Sequence, residues 1–176
     1  VQLVNFYYTA GIYNTGFHMF DLLRFFFGEI DWIEGVYSRN SSHKGDDPNI
    51  DGIIKFQNGI IASFQACDVK KYLIFELNCF LEKGRFILKN SGFSVDYYRV
   101  QPSKYFSGYK ELFKMKVPFK VDYKRDFMVE GVKYLIKCVK KRCKSISSGN
   151  DGLMSLKCAK AAVSSAENDG KRIIIR

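Results

Sequence analysis

Between Ile50 and Tyr97 apolar side chains recur at alternate positions, and turn residues cut the pattern into short runs. Ile54 and Phe56 precede Gln57-Asn58-Gly59, and Ile60, Ala62, Phe64 and Ala66 alternate after it. An Asn-Gly pair between two alternating runs predicts a hairpin closed by a type I′ turn. Leu73, Phe75, Leu77, Cys79 and Leu81 alternate next; Lys83-Gly84 turns the chain into Phe86-Ile87-Leu88, and Asn90-Ser91-Gly92 turns it into Phe93, Val95 and Tyr97. A period of two sends successive side chains to opposite faces, so this stretch reads as a meander of antiparallel strands in a large open sheet. Ile61, Ile74, Phe80 and Tyr98 fall on the alternate positions. One face is therefore available to helices, and the other is either an interface with a second subunit or domain or a wet face of Tyr and Lys.

The remaining chain supplies those helices and a few more strands. Gln2 to Thr9 is rich in Val, Phe and Tyr and reads as a strand, its end near Tyr7 or Tyr8 pointing to a substrate. Ile30 to Asn40 reads as a second strand, and Ser41 to Pro48 as a polar loop in which His43 is solvated. Pro102 to Pro118 is an irregular excursion with a short strand at Leu112 to Val117. A basic amphipathic helix starts near Asp122 and ends near Cys143. Ser147 to Asp151 reads as a capped loop, followed by a last helix carrying Leu153, Leu156, Ala159, Val163 and Ala166, which Asn168-Asp169-Gly170 stops before a short edge strand. The fold class is α+β: a large open, mostly antiparallel sheet with about three helices packed on one face.

The 176 residues form one domain, 1–176, long enough to bury a substantial core. No apolar run approaches the roughly 20 residues of a membrane helix, so the chain is expected to be soluble and off the membrane. The sequence opens at Val1 in mid-strand without a basic, apolar leader, so it reads as a piece of a longer cytoplasmic protein. The net charge of +10 raises nucleic acid, an anionic surface or a phosphorylated ligand as partners. Lys133, Lys137, Lys140, Lys141, Arg142 and Lys144 lie beside the stripe Met128, Val132, Leu135, Ile136, Val139 and Cys143, which is either an anion-binding surface or a solvated lysine face. Cys67, Cys79, Cys138, Cys143 and Cys158 show no C-x-x-C pairing; they read as five free thiols in a reducing compartment, and no metal is expected.

One helix carries chemistry. Asn14 or Thr15 is a suitable N-cap and Gly28 a suitable stop, with about three turns between them. Asn14, His18 and Asp21 share one face, while Phe17, Phe20, Leu23 and Phe27 can face a core. Histidine, with an ordinary pKa near ~6.5, can take a proton from a hydroxyl near neutral pH. Asp21 could steady the ring, and Asn14 could bind a hydroxyl as donor and acceptor. The alternative is a histidine merely satisfied in an aromatic-rich helix, with Asp21 paired to Arg24.

The stretch Tyr8 to Arg24, with Phe27-Gly28 and Ile30, resembles the second domain of the Gfo/Idh/MocA oxidoreductases, the glucose-fructose oxidoreductase and inositol dehydrogenase family. That family carries a motif close to D/N-x-G-x-H-x-x-D, matched here by Asn14, Gly16, His18 and Asp21. Ser148-Gly149-Asn150-Asp151-Gly152-Leu153, with Ala161 to Ala166, is similar to the family's terminal helix. The resemblance implies a dihydrodipicolinate-reductase-like C-terminal domain, His18 as the catalytic residue assisting proton transfer, Asn14 as substrate-binding, and Asp21 in support. It implies NAD or NADP as cofactor and a homo-oligomer formed through the open sheet face. Asn14 departs from members with Asp there and cannot share a negative charge with His18.

No G-x-G-x-x-G occurs in the chain, so no cofactor-binding residue is assigned and no Rossmann domain is present in it. The expectation is the substrate-binding domain of an NAD(P)-dependent oxidoreductase acting on a secondary alcohol of a sugar, cyclitol or nucleotide sugar. The cofactor is expected mainly on an N-terminal domain outside this sequence, leaving this chain inactive alone. Two alternatives stand beside it: a non-catalytic dimerisation and binding scaffold, and a basic nucleic-acid-binding domain, which would bind in a salt-sensitive way.

Overall fold

The computed structural model describes residues 1–39, 46–117 and 126–176. His43, in the loop expected to be solvated, and Asp122, expected near a helix start, lie outside the described residues. In chain order the elements are β1 (Leu3–Tyr8), α1 (Gly16–Phe27), β2 (Ile30–Tyr37), β3 (Ile50–Phe56), β4 (Ile61–Ala66), β5 (Phe75–Leu81), β6 (Gly84–Lys89), β7 (Ser94–Pro102), β8 (Lys110–Met115), α2 (Phe127–Lys141), α3 (Gly149–Glu167) and β9 (Ile173–Ile174). The strands form one nine-stranded sheet in the order β8-β7-β6-β5-β1-β4-β3-β2-β9. Every pairing is antiparallel except β1 with β4.

Two details depart from expectation. The meander is interrupted between β4 and β5, because β1 lies between them, with Val4 opposite Ala62 on one side and Leu3 opposite Phe80 on the other. Val4, Phe6 and Tyr8 are wholly buried, so β1 belongs at the centre of the sheet, and Phe6 meets Phe75 edge-on at 4.8 Å. The β3–β4 hairpin is not closed by a type I′ turn. The Gly59 N–H donates to the Phe56 carbonyl at 2.9 Å, which makes Gln57 and Asn58 the turn's central residues. Of these three residues Gly59 alone has positive φ, 88°. This is the longer hairpin connection, in which a glycine in the left-handed region follows the turn.

Alternation fixes which face is covered. Val4, Phe6, Tyr8, Ile50, Ile54, Phe56, Ala62, Phe64, Leu77 and Cys79 are all buried and share one side. Against it α1 lays Phe20, edge-on to Phe64 at 5.7 Å, and Phe27, edge-on to Phe56 at 5.7 Å. α3 approaches β2 more closely because its inner face is Ser155, Cys158, Ala159, Ala162 and Ser165. A Cβ on Gly35 would meet the Ala162 carbonyl oxygen at 3.0 Å, and the Gly35 N–H instead donates to Ser165 Oγ at 2.8 Å. α3 opens with a capping box, the Ser148 and Asp151 side chains each accepting the other's backbone N–H. α2 is capped by Asp126, which accepts from Met128 and Val129, and its Phe127 ring meets Phe93 at 5.4 Å. Among the described residues, no helix is long and apolar enough to cross a membrane.

Candidate functional site

The polar trio sits where β1 ends and the first helix begins. Ala10 takes a left-handed conformation, φ 64°, and Gly11–Thr15 form one wide turn before α1 proper. Residues 47–49 strap this turn down from outside. Asn49 Oδ1 accepts the Gly11 N–H at 2.9 Å, the Pro48 carbonyl accepts the Ile12 N–H at 2.9 Å, and Asp47 Oδ1 accepts the Tyr13 N–H at 2.7 Å. Gly11 has φ 89°, and any Cβ on it would collide with the Asp47 carboxyl. The expected N-cap is therefore corrected: no Asn14 or Thr15 side chain caps the helix, because the wide turn runs straight into it, with the Gly16 N–H donating to the Gly11 carbonyl, and the Thr15 hydroxyl donates to the Thr9 carbonyl instead.

Asn14 and His18 are both exposed, and the His18 ring stands edge-on to Phe17 at 5.7 Å. Phe20, Leu23 and Phe27 point into the core as the helical spacing requires, with Phe17 half-buried. Asp21 is half-buried and enters the wall of a cavity of about 270 Å³ with Arg24, Glu29, Ser147 and Asp151; Asn14 and His18 lie outside that wall. Tyr8 is not a substrate residue. Its hydroxyl donates to the Ile50 carbonyl at 2.7 Å and accepts the Ile50 N–H at 2.8 Å, and burial pushes its pKa up. Tyr7 faces the other side of the sheet.

The sequence reading missed the ion-pair knot at the far end of α1. Arg24 reaches Glu29 with two hydrogen bonds, Nε to Oε2 at 2.9 Å and Nη2 to Oε1 at 2.7 Å. Its Nη1 donates to the Asp151 carbonyl at 3.1 Å, and Nη2 stands 3.7 Å from Asp151 Oδ1. Arg24 thus answers Glu29 and Asp151, where pairing with Asp21 was the alternative expected. Its side chain is only 5% exposed, and Gly28 brings Glu29 back over it. The backbone N–H and hydroxyl of Ser148, with Arg24 adding, hold the Asp151 carboxyl below the usual carboxylate range. The strap and the Arg24–Asp151 contact join residues far apart in sequence, whereas Arg24 and Glu29 are neighbours across the helix stop; the local hint to the strap was the turn-prone Asp47-Pro48-Asn49.

A dinucleotide does not fit these elements. Pyrophosphate sites use free N–H groups at a helix start, but those before α1 are taken by Asn49, Pro48 and Asp47, and the start of α3 holds the Asp151 carboxylate. Among the described residues, no group of three His, Cys, Asp or Glu side chains converges as a metal cage would.

An open, mostly antiparallel sheet backed on one face by helices defines an α+β domain and not a doubly wound nucleotide-binding one. The family model for the C-terminal alpha/beta domain of the Gfo/Idh/MocA oxidoreductase family matches residues 10–173, and the chain belongs to that family. Similar solved structures include levoglucosan dehydrogenase in complex with NADH and L-sorbose, 13% identical with a TM-score of 0.76, over 99% of this chain and 58% of that one. The WlbA dehydrogenase from Bordetella pertussis, in complex with NADH and UDP-GlcNAcA, is 15% identical with a TM-score of 0.69, over 99% and 55%. An oxidoreductase domain protein from Kribbella flavida is 12% identical with a TM-score of 0.74, over 100% and 60%. At such identities the likeness is one of fold, and the chain spans 55% to 60% of the length of these structures. The search of curated proteins gave no match.

Proposed function

We propose that this chain is the substrate-binding and self-associating part of a nicotinamide-dependent oxidoreductase acting on a secondary alcohol of a sugar, cyclitol or nucleotide sugar. The observation that carries this reading is the exposed His18 on α1, near the exposed Asn14, in a chain of this family. The imidazole takes the proton of the hydroxyl being oxidised, the Asn14 carboxamide fixes a hydroxyl as donor and acceptor, and Asp21 supports the helix face between them and the cavity. The sugar and UDP-sugar bound by two of the neighbours support the substrate class. NAD or NADP is assigned to a dinucleotide-binding domain outside this sequence, and no residue here is given to it. In the full-length protein, His18→Ala is expected to lower kcat by roughly 10²-fold or more with the sugar that the wild type oxidises. An unchanged kcat would make the trio structural.

Self-association is assigned to the open face. There Leu3, Val36, Ile53 and Ile61 are exposed beside the Ser63–Asn5 hydrogen bond of 2.7 Å, an apolar and polar mixture like that of subunit interfaces. Ile53→Asp is expected to shift the sedimentation coefficient from oligomer to monomer. A wild-type chain that sediments as a monomer at micromolar concentration would remove this part of the reading.

A further inference from the structure

Cysteine spacing shows no pairing motif, yet the fold brings two thiols together at the end of α2. The helix stops at Arg142 in the left-handed region, φ 51° and ψ 36°. The Arg142 N–H donates to the Val139 carbonyl at 3.3 Å, and the Cys143 N–H to the Cys138 carbonyl at 3.1 Å. Those two bonds define a Schellman cap, which sets the second residue past the helix end against the residue five positions before it. Here both positions are cysteine. Five residues of straight α-helix advance about 7.5 Å, beyond the roughly 4.4–6.8 Å between Cα atoms of bridged cysteines; the left-handed turn folds the chain back and shortens that separation.

The side chains follow the backbone. The Cys138 thiol lies near enough to push the Cys143 pKa up, and beside it stands the Tyr134 hydroxyl, which accepts the Ile146 N–H at 3.1 Å. Cys143 is exposed and Cys138 buried, so one thiol meets solvent and the other waits behind it. Lys140, Lys141, Arg142 and Lys144 crowd the same end and attract an anionic oxidant. The other cysteines are placed differently. Burial pushes the thiols of Cys79 and Cys158 up to about 12, so they are inert near neutral pH. Cys67, just past β4, has Tyr72 as its neighbour.

We infer that Cys138 and Cys143 are a reversible dithiol–disulfide site, oxidised by exchange with a small anionic disulfide such as oxidised glutathione. The Cys143 thiolate attacks one sulfur of the glutathione disulfide, breaking its S–S bond, and the departing glutathione thiolate takes up the proton that Cys143 lost. The Cys138 sulfur then attacks the Cys143 sulfur of the mixed disulfide, and the second glutathione leaves with the Cys138 proton. Two protein thiols are oxidised by two electrons, and one glutathione disulfide becomes two thiols. The neighbouring Cys138 sulfur favours the protonated Cys143 thiol and pushes its pKa up, so exchange quickens as pH rises above neutrality. The bridge would fasten the last turn of a helix whose apolar stripe, Val132, Leu135, Ile136 and Val139, is exposed.

The test is titration of the reduced chain with mixtures of reduced and oxidised glutathione, acid quench, alkylation, and mass mapping of peptides. The inference requires a species lighter by two hydrogens, with residues 138 and 143 linked and both lost to alkylation, restored by dithiothreitol. In Cys143→Ser that species disappears, while circular dichroism stays as in the wild type because residue 143 is exposed. Stable glutathione adducts at Cys143 without the internal bridge would overturn it, as would a bridge between other cysteines or unaltered masses under oxidising mixtures.

Discussion

The helices α1 and α2 are written in the same code and treated differently by the fold. α1, twelve residues, buries Met19, Phe20, Leu23, Arg24 and Phe27 against the sheet and α3. α2, fifteen residues, separates apolar from basic side more cleanly, yet buries only Cys138. Its stripe of Met128, Val132, Leu135, Ile136 and Val139 recurs at helical spacing and is exposed, Met128 at 79% and Val139 at 70%. The difference teaches what periodicity means. An apolar stripe states that a helix needs something to cover it; the sheet residues opposite decide whether that cover is at hand. Phe56 and Phe64 cover α1. For α2, Phe127 against Phe93 is the one ring contact among the described residues.

The comparison breaks most readily by truncation. Phe20→Ala removes a wholly buried ring and leaves a cavity beneath α1, so the chain should lose about 3–5 kcal/mol in urea unfolding. Leu135→Ala at a site 59% exposed should cost within about 0.5 kcal/mol, with no change in the slope of the transition. Equal losses for the two variants would mean that α2 is packed in solution and that the contrast is false.

How far the sequence carries the fold follows from the range of each interaction. The β3–β4 hairpin, the capping box of α3 and the Gly28 stop depend on neighbours within a few positions, and all three are legible in the residues themselves. The insertion of β1 between β4 and β5 is not, since Val4 and Ala62 are 58 positions apart and nothing local names the partner. Even a local signal can mislead by one residue: Asn58-Gly59 marks the turn, but Gln57 and Asn58 occupy its centre. In the candidate site, the exposure of His18 on α1, with Asn14 in the turn before it, follows from spacing, because one apolar face leaves the other to solvent. The strap of Asp47 and Asn49 and the pairing of Arg24 with Asp151 do not follow. A polar side chain advertises that it will be paired if buried, and tertiary structure picks the partner.

A smaller effect sharpens the same contrast, because Asp151 ties α3 to α1 and leaves α2 out. Its carboxyl accepts the Ser148 N–H and hydroxyl, each at 2.7 Å, and lies 3.7 Å from Arg24. With its folded-state pKa held below the ordinary Asp value of about 3.9, the folded chain binds fewer protons there than the unfolded one. That contribution is present above the ordinary value and is lost as pH falls through and below it. Asp96, held low by Lys89 at 2.5 Å and Lys114 at 2.9 Å, adds a loss of the same sign at the far edge of the sheet. Urea midpoints followed from about pH 5 to about pH 2 should therefore decline less steeply in Asp151→Asn than in the wild type. The difference should shrink in high salt, which screens the Arg24 part. Hydrogen exchange locates the effect: in acid, amides at the C-terminal end of α1 and the first turn of α3 should lose protection in the wild type before those of β1 do. An identical acid decline in both chains would mean that Ser148 caps α3 without help from the Asp151 charge, and that α1 owes its place to the apolar contacts of Phe20 and Phe27 alone.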